Sequence, residues 1–197
     1  MKRYCLYLFI LIGISCSAEL KAQKNGTIYK GNDPAVRYTG RTLVSPDGSV
    51  AFDWVGTYLE TRFTGGKLSV KVSETGTSYY NVFVDGKLHK VVKVCGTDTL
   101  IHLVSGIDKR IHSLKIQKRS EGEFGKTTVH QFVLSGSGRL AEEPAVRTRH
   151  IEFIGNSLTC GYGTDGKHRD EPFLVETENC NLTFASMVAR YYDADYT

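Results

Sequence analysis

From Ala35 to Leu134 apolar and polar residues alternate with a period of two, and turn-forming residues recur about every ten positions, the pattern of half-buried strands. Tyr58-Leu59-Glu60-Thr61-Arg62-Phe63 and Leu68-Ser69-Val70-Lys71-Val72 follow it, and Tyr80, Val82 and Val84 share one face. Asp85-Gly86, set before the run Leu88–Val94, is the signal of a type I′ hairpin. Leu100–Val104, Ile111–Ile116 and Val129–Leu134 continue the series. Weaker pieces at Val36–Leu43 and Val50–Trp54 bring the total to about eight or nine strands. No stretch in this region repeats apolar residues at helical spacing. An N-terminal antiparallel β-sandwich of jelly-roll type is the expected container.

The texture changes after the Gly- and Ser-rich stretch Gly136–Pro144. His150-Ile151-Glu152-Phe153-Ile154 reads as a short strand running into Gly155-Asn156-Ser157, and the glycine-rich turn Cys160-Gly161-Tyr162-Gly163 follows. A helix is expected over about Leu182–Tyr192, with Phe184, Val188 and Tyr191 as its apolar side and Asn181 or Thr183 as its cap. Ala194–Thr197 reads as the lead-in to a second strand. Strand, loop and helix open an α/β domain, but one strand and one helix cannot bury a core. The expected division is therefore a leader over 1–22, a sandwich over 24–140, a linker over 141–148, and the incomplete start of an α/β domain over 149–197.

Composition narrows the class. The 197 residues are 41% hydrophobic and 23% charged, an ordinary globular balance. Half of the net charge of +4 lies in residues 1–22, and the rest shows no basic block, which argues against nucleic acid as a partner. The densest basic run, Lys115–Arg119, alternates with apolar residues and reads as the solvated face of a strand. Lys2 and Arg3 before the apolar run Tyr4–Ile14 form a secretory leader, so export to the periplasm, cell surface or medium is expected. Cleavage after Ala22 would release a soluble protein; acylation of Cys16 would tether it to a membrane. With Cys5 and Cys16 in the leader, Cys95, Cys160 and Cys180 remain, read either as a Cys160–Cys180 bridge plus one thiol or as three small buried residues.

Ser157 carries the candidate chemistry. A serine at the C-terminal tip of a strand, before a glycine-rich turn, is where α/β hydrolytic folds expose a nucleophile beside backbone N–H donors. The string Ile151–Gly163 resembles the first motif block of the GDSL (SGNH) hydrolases. More narrowly, the sandwich placed before it and the segment Glu178-Asn179-Cys180-Asn181-Leu182-Thr183-Phe184-Ala185 behind it resemble the family-2 carbohydrate esterases, of acetylxylan esterase type. The resemblance implies a flavodoxin-like SGNH domain after the sandwich. It also implies that Ser157 is the nucleophile of a carbohydrate O-deacetylase acting on acetylated xylan or mannan, with the Ser157 N–H as one oxyanion donor. Asn156 departs from the aspartate usual there and gives up its charge.

The other donors and the base histidine of the resemblance have no counterpart before residue 197, so the chain alone is expected to be inactive. Asp165-Gly166-Lys167-His168 has the D-x-x-H spacing of the family's base motif, but nothing between Ser157 and His168 returns that ring to the serine, and it reads as a loop histidine. Cys160 is read as structural rather than as a rival nucleophile. The remaining histidines, at 89, 102, 112, 130 and 150, sit in strand patterns without metal-ligand spacing, and neither metal nor organic cofactor is expected. The alternative is a sandwich that binds carbohydrate or serves as structure, for which Trp54 and the outward-facing one of Tyr79 and Tyr80 would be the aromatic platforms. Oligomeric state is not legible.

Overall fold

The computed structural model describes residues 26–142 and 144–197. The expected leader, with its expected cleavage site and Cys16, lies outside the described residues. Seven strands make the first unit: β1 (Thr27–Lys30), β2 (Val36–Thr39), β3 (Leu43–Val44), β4 (Val50–Phe52), β5 (Tyr58–Val84), β6 (Lys87–Lys118) and β7 (Thr127–Ser135). All their pairings are antiparallel.

β5 and β6 are too long to be flat strands. Each breaks register repeatedly and runs as three legs, switching layers at its irregularities. In one layer Thr61 lies opposite Leu114, and Leu114 also lies opposite Val84, so the last leg of β6 sits between two legs of β5; β2 adds on outside Tyr58–Thr61. In the other layer the middle leg of β5 sits between β7 and the middle leg of β6, and β1 and β4 flank the far edge of β7. The result is the expected sandwich. Asp85 and Gly86 both have positive φ, 49° and 75°, as the two-residue I′ turn demands.

The period-two residues fill the space between layers: Leu59, Phe63, Leu68, Val82, Leu114, Phe132 and Leu134 are all at most 2% exposed. One slip in phase is informative. Val129 and Phe132 are both buried although an odd number of positions separates them, because Lys71 pairs with Gln131 but Val72 pairs with Val129. The bulge at His130 absorbs one residue and returns the apolar side chains to the core. At the expected end of the sandwich, Leu140 bridges to Phe63 and packs into the same core, held by Thr64 N–H to Arg139 O (2.9 Å) and Ala141 N–H to Arg62 O (2.7 Å).

The second unit contains β8 (His150–Ile151), α1 (Ser157–Cys160), α2 (Phe184–Tyr191) and β9 (Asp195–Tyr196). β8 and β9 pair in parallel, joined through α2, which is the βαβ beginning of an α/β sheet. The helix presents a different side from the one expected. Ala185, Ser186 and Ala189 are buried, Ala189 against Tyr58 and Tyr196, whereas Phe184, Val188 and Tyr191 remain exposed. Small side chains let the helix backbone come close to the rings of Tyr58 from the sandwich and Tyr196 from β9. Among the described residues no helix is long and apolar enough to cross a membrane.

Candidate active site

Ser157 opens α1, immediately after the β8 ladder is extended by Phe153 N–H to Thr197 O (2.8 Å). Asn156 caps that single turn, its side-chain oxygen accepting the Leu158 N–H at 3.2 Å. Asparagine caps a helix as well as aspartate does, so the cap is kept here although the charge is gone. Gly161 closes the turn with φ 90° and sends its N–H back to Ser157 O (2.9 Å). A Cβ there would stand 2.6 Å from the Asn179 backbone, so only glycine allows the 160s turn to lie against the segment before α2. Ser157 is exposed, and neither its hydroxyl nor its N–H has an intramolecular partner among the described residues.

The histidines stay away. His168 is exposed on the loop, without a side-chain hydrogen bond among the described residues, and His150 pairs with the Thr197 hydroxyl at 3.0 Å. His112 is clamped in the sandwich between Asp85 (2.7 Å) and Asp108 (3.0 Å), and its hydrogen bond to Asp85 raises its pKa. Cys160 and Cys180 are buried and unbridged, and Cys95 is exposed, so the disulfide alternative fails and burial holds for two of the three. Cys160 donates to Glu121 Oε1 (2.8 Å); burial and that carboxylate push its thiol far above the ordinary range, the opposite of nucleophile activation. Tyr80 belongs to the core, Tyr79 faces outward with its hydroxyl on Glu176 (3.3 Å), and Trp54 is 59% exposed under the Arg41 guanidinium.

The basic run Lys115–Arg119 is not solvated. Lys118 is 0% and Arg119 2% exposed: Lys118 turns into the sandwich, its ammonium donating to Ser78 Oγ and Gly125 O (3.1 Å), while Arg119 lies beneath the second unit. Arg119 donates to Glu178 O (2.7 Å), Glu176 O (3.1 Å), Asn81 Oδ1 (3.3 Å) and the Asp165 carboxylate. Gln117 reaches the Tyr196 hydroxyl, which also accepts from Ser186 (2.8 Å). Desolvation brings Lys118 down to about 8, and likewise Lys115, whose ammonium lies 3.7 Å from the centre of the Tyr58 ring. At the far end Asp195 accepts from Tyr58 (2.6 Å), Arg37 (2.7 Å) and Arg147 (2.8 Å), and both arginines also pair with Glu60. Next to these ion pairs a cleft of about 530 Å³, lined in part by Arg62, Lys115, Arg147 and Arg190, opens between the units; Ser157 is not among its lining residues. The docking role of these residues is not legible in the sequence, where Lys115–Arg119 reads as a solvated face. Their polarity hides their burial, and their partners are distant along the chain.

The arrangement therefore fixes an exposed serine, with a free N–H beside it, on a turn anchored to a sandwich through polar contacts. Residues 38–144 match the family model described as carbohydrate esterase 2 N-terminal. The chain is 32% identical over 163 residues to the cellulase/esterase CelE of Acetivibrio thermocellus, covering 83% of this chain and 20% of that protein. It is 29% identical to an acetylxylan esterase/glucomannan deacetylase of Cellvibrio japonicus, covering 83% of this chain and 45% of that one. A family two carbohydrate esterase from Clostridium thermocellum, solved in complex with cellohexaose, superposes with a TM-score of 0.78 at 32% identity, over 82% of this chain and 49% of its own. The chain thus spans at most about half the length of these relatives. With its family match extending over more than half of its length, the chain belongs to carbohydrate esterase family 2.

Proposed function

We propose that this chain supplies the sandwich and the nucleophile-bearing start of an SGNH-type carboxylic ester hydrolase that removes acetyl groups from plant polysaccharides such as xylan or glucomannan. The observation that carries the reading is Ser157, exposed at the first position of a capped turn on the tip of a parallel strand, within a family-2 chain. In the reaction the Ser157 hydroxyl attacks the acetyl carbonyl, the Ser157 N–H faces the developing oxyanion, and water releases acetate from the acetyl-enzyme. The relatives named as acetylxylan esterase/glucomannan deacetylase support the substrate class. The leader at 1–22 fits a polymer met outside the cytoplasm.

Proton removal from Ser157 requires a base, and no histidine bonds to it among the described residues. Residues 23–197 alone are expected to release acetate from acetylated xylan or glucomannan at background rate. The protein as its gene encodes it, purified from the native cells, is expected to release acetate in a manner abolished by Ser157→Ala. Native protein that deacetylates neither polymer, or does so unchanged by Ser157→Ala, would overturn the proposal.

A further inference from the structure

Away from Ser157, the floor of the same loop gathers three acidic groups in one buried spot. Glu121 comes from the segment after β6, Cys160 from the end of α1 and Glu178 from the segment before α2. One carboxylate oxygen from each glutamate and the Cys160 Sγ all lie within 4.8 Å of one another. Glu178 is 0% exposed; its Oε2 accepts the Glu121 N–H at 3.2 Å, while its Oε1 is buried with no hydrogen-bond partner. An orphaned carboxylate oxygen inside a protein is costly, and here it stands beside a second carboxylate and a thiol rather than beside a donor.

We propose that Glu121, Cys160 and Glu178 form a zinc site that ties the turn carrying Ser157 to the sandwich. A thiolate with two carboxylates suits a borderline-soft divalent ion; Ca²⁺ and Mg²⁺ take oxygen ligands only. Zinc bonds of about 2.0–2.3 Å draw three ligand atoms at these separations around one centre after small side-chain shifts, leaving a fourth position for water. Coordination sends the Cys160 proton to solvent and replaces the thiol's bond to Glu121. Around the site the single Tyr162 hydroxyl proton is shared between Glu121 and Glu123 (2.8 Å), and the Lys118 ammonium, bonded to Ser78 and Gly125 O, is the nearby positive charge that acts on Glu178. Because Cys160 shares α1 with Ser157, ligation would fix the serine turn from below without the metal entering the ester chemistry. The inference does not depend on the esterase reading.

The test uses the metal alone on the chelator-stripped chain. Zinc uptake is followed by equilibrium dialysis, and Co²⁺ substitution by its thiolate-to-metal charge-transfer absorption. One zinc per chain, a thiolate band in the wild-type cobalt form, and loss of both in Cys160→Ser and Glu178→Gln are the expected results, with Cys95→Ser indistinguishable from wild type. A wild-type cobalt spectrum lacking the thiolate band overturns the proposal without reference to whether any variant folds. So does stoichiometric zinc that survives Cys160→Ser.

Discussion

Two buried regions of this molecule are built from opposite materials. Between the layers of the sandwich lie Leu59, Phe63, Leu68, Leu114 and Phe132, all apolar and all reached by alternation. Between the sandwich and residues 149–197 lie Gln117, Arg119, Glu178 and Asp195, almost as dry, with the half-buried Arg37 and with Glu60 at one end. The first region is held by area removed from water, which tolerates small shifts. Around one small apolar patch, Tyr58 with Ala189 and Tyr196, the second is held by directional bonds whose donors and acceptors must coincide, and which cost several kcal/mol each when one partner is missing. A polar seam of this kind fixes the angle at which the serine-bearing unit meets the sandwich. An apolar one would fix the contact and leave the angle loose.

The comparison breaks most visibly in the sandwich. Phe132→Ala removes a ring that is 0% exposed at the centre of the core and should cost about 3–5 kcal/mol. A urea titration should show the whole molecule unfolding earlier, since the second unit rests on β5 and β6. If the sandwich signal moved by less than about 1 kcal/mol, the core would be looser than its burial implies.

Arg119→Ala attacks the seam. It strips donors from Asp165, Asn81 and two backbone carbonyls while leaving the sandwich core whole, and should cost about 3 kcal/mol of docking. Limited proteolysis should then cut within 141–180 at unchanged sandwich melting temperature. A single transition in which both units lose stability together would show that seam and core are one cooperative structure.

The contrast also explains what the sequence makes legible. Alternation, the Asp85-Gly86 turn and the strand-to-Ser157 junction are local, and each is written in a few adjacent residues. Within the run Lys115–Arg119 the face of Lys115, Gln117 and Arg119 reads locally as solvated, and it would be so but for a unit that begins about thirty residues later and covers it. The same blindness applies to α2. Its larger apolar side is the natural choice from periodicity, yet the fit of Ala189 against Tyr58 and Tyr196 depends on rings from β5 and β9. Glu121, Cys160 and Glu178 have no motif spacing because three separate segments bring them together. Neighbouring residues betray a strand; only the folded chain reveals which polar faces are paired.

A finer cut through the seam comes from pH. Burial alone would raise Asp195, but hydrogen bonds from Arg37, Tyr58 and Arg147 outweigh it and bring the carboxyl down to about 2, below its ordinary 3.8. The depressed value means that the stabilisation is fully present above pH 3.8 and drains away as pH falls towards 2, when the folded state must also take up the proton. Linkage sets an upper bound of about 2 kcal/mol, reduced by whatever solvent reaches the pairs. Proteolysis of the 141–180 region should therefore rise between pH 4 and pH 2 at a fixed protease activity, before the sandwich melts. Asp195→Asn, which keeps the shape but not the charge, should make susceptibility higher at neutral pH and nearly flat across that window. A variant as steeply acid-sensitive as wild type would show that the bonds of Arg37, Tyr58 and Arg147 to Asp195 do not set the acid response of the seam.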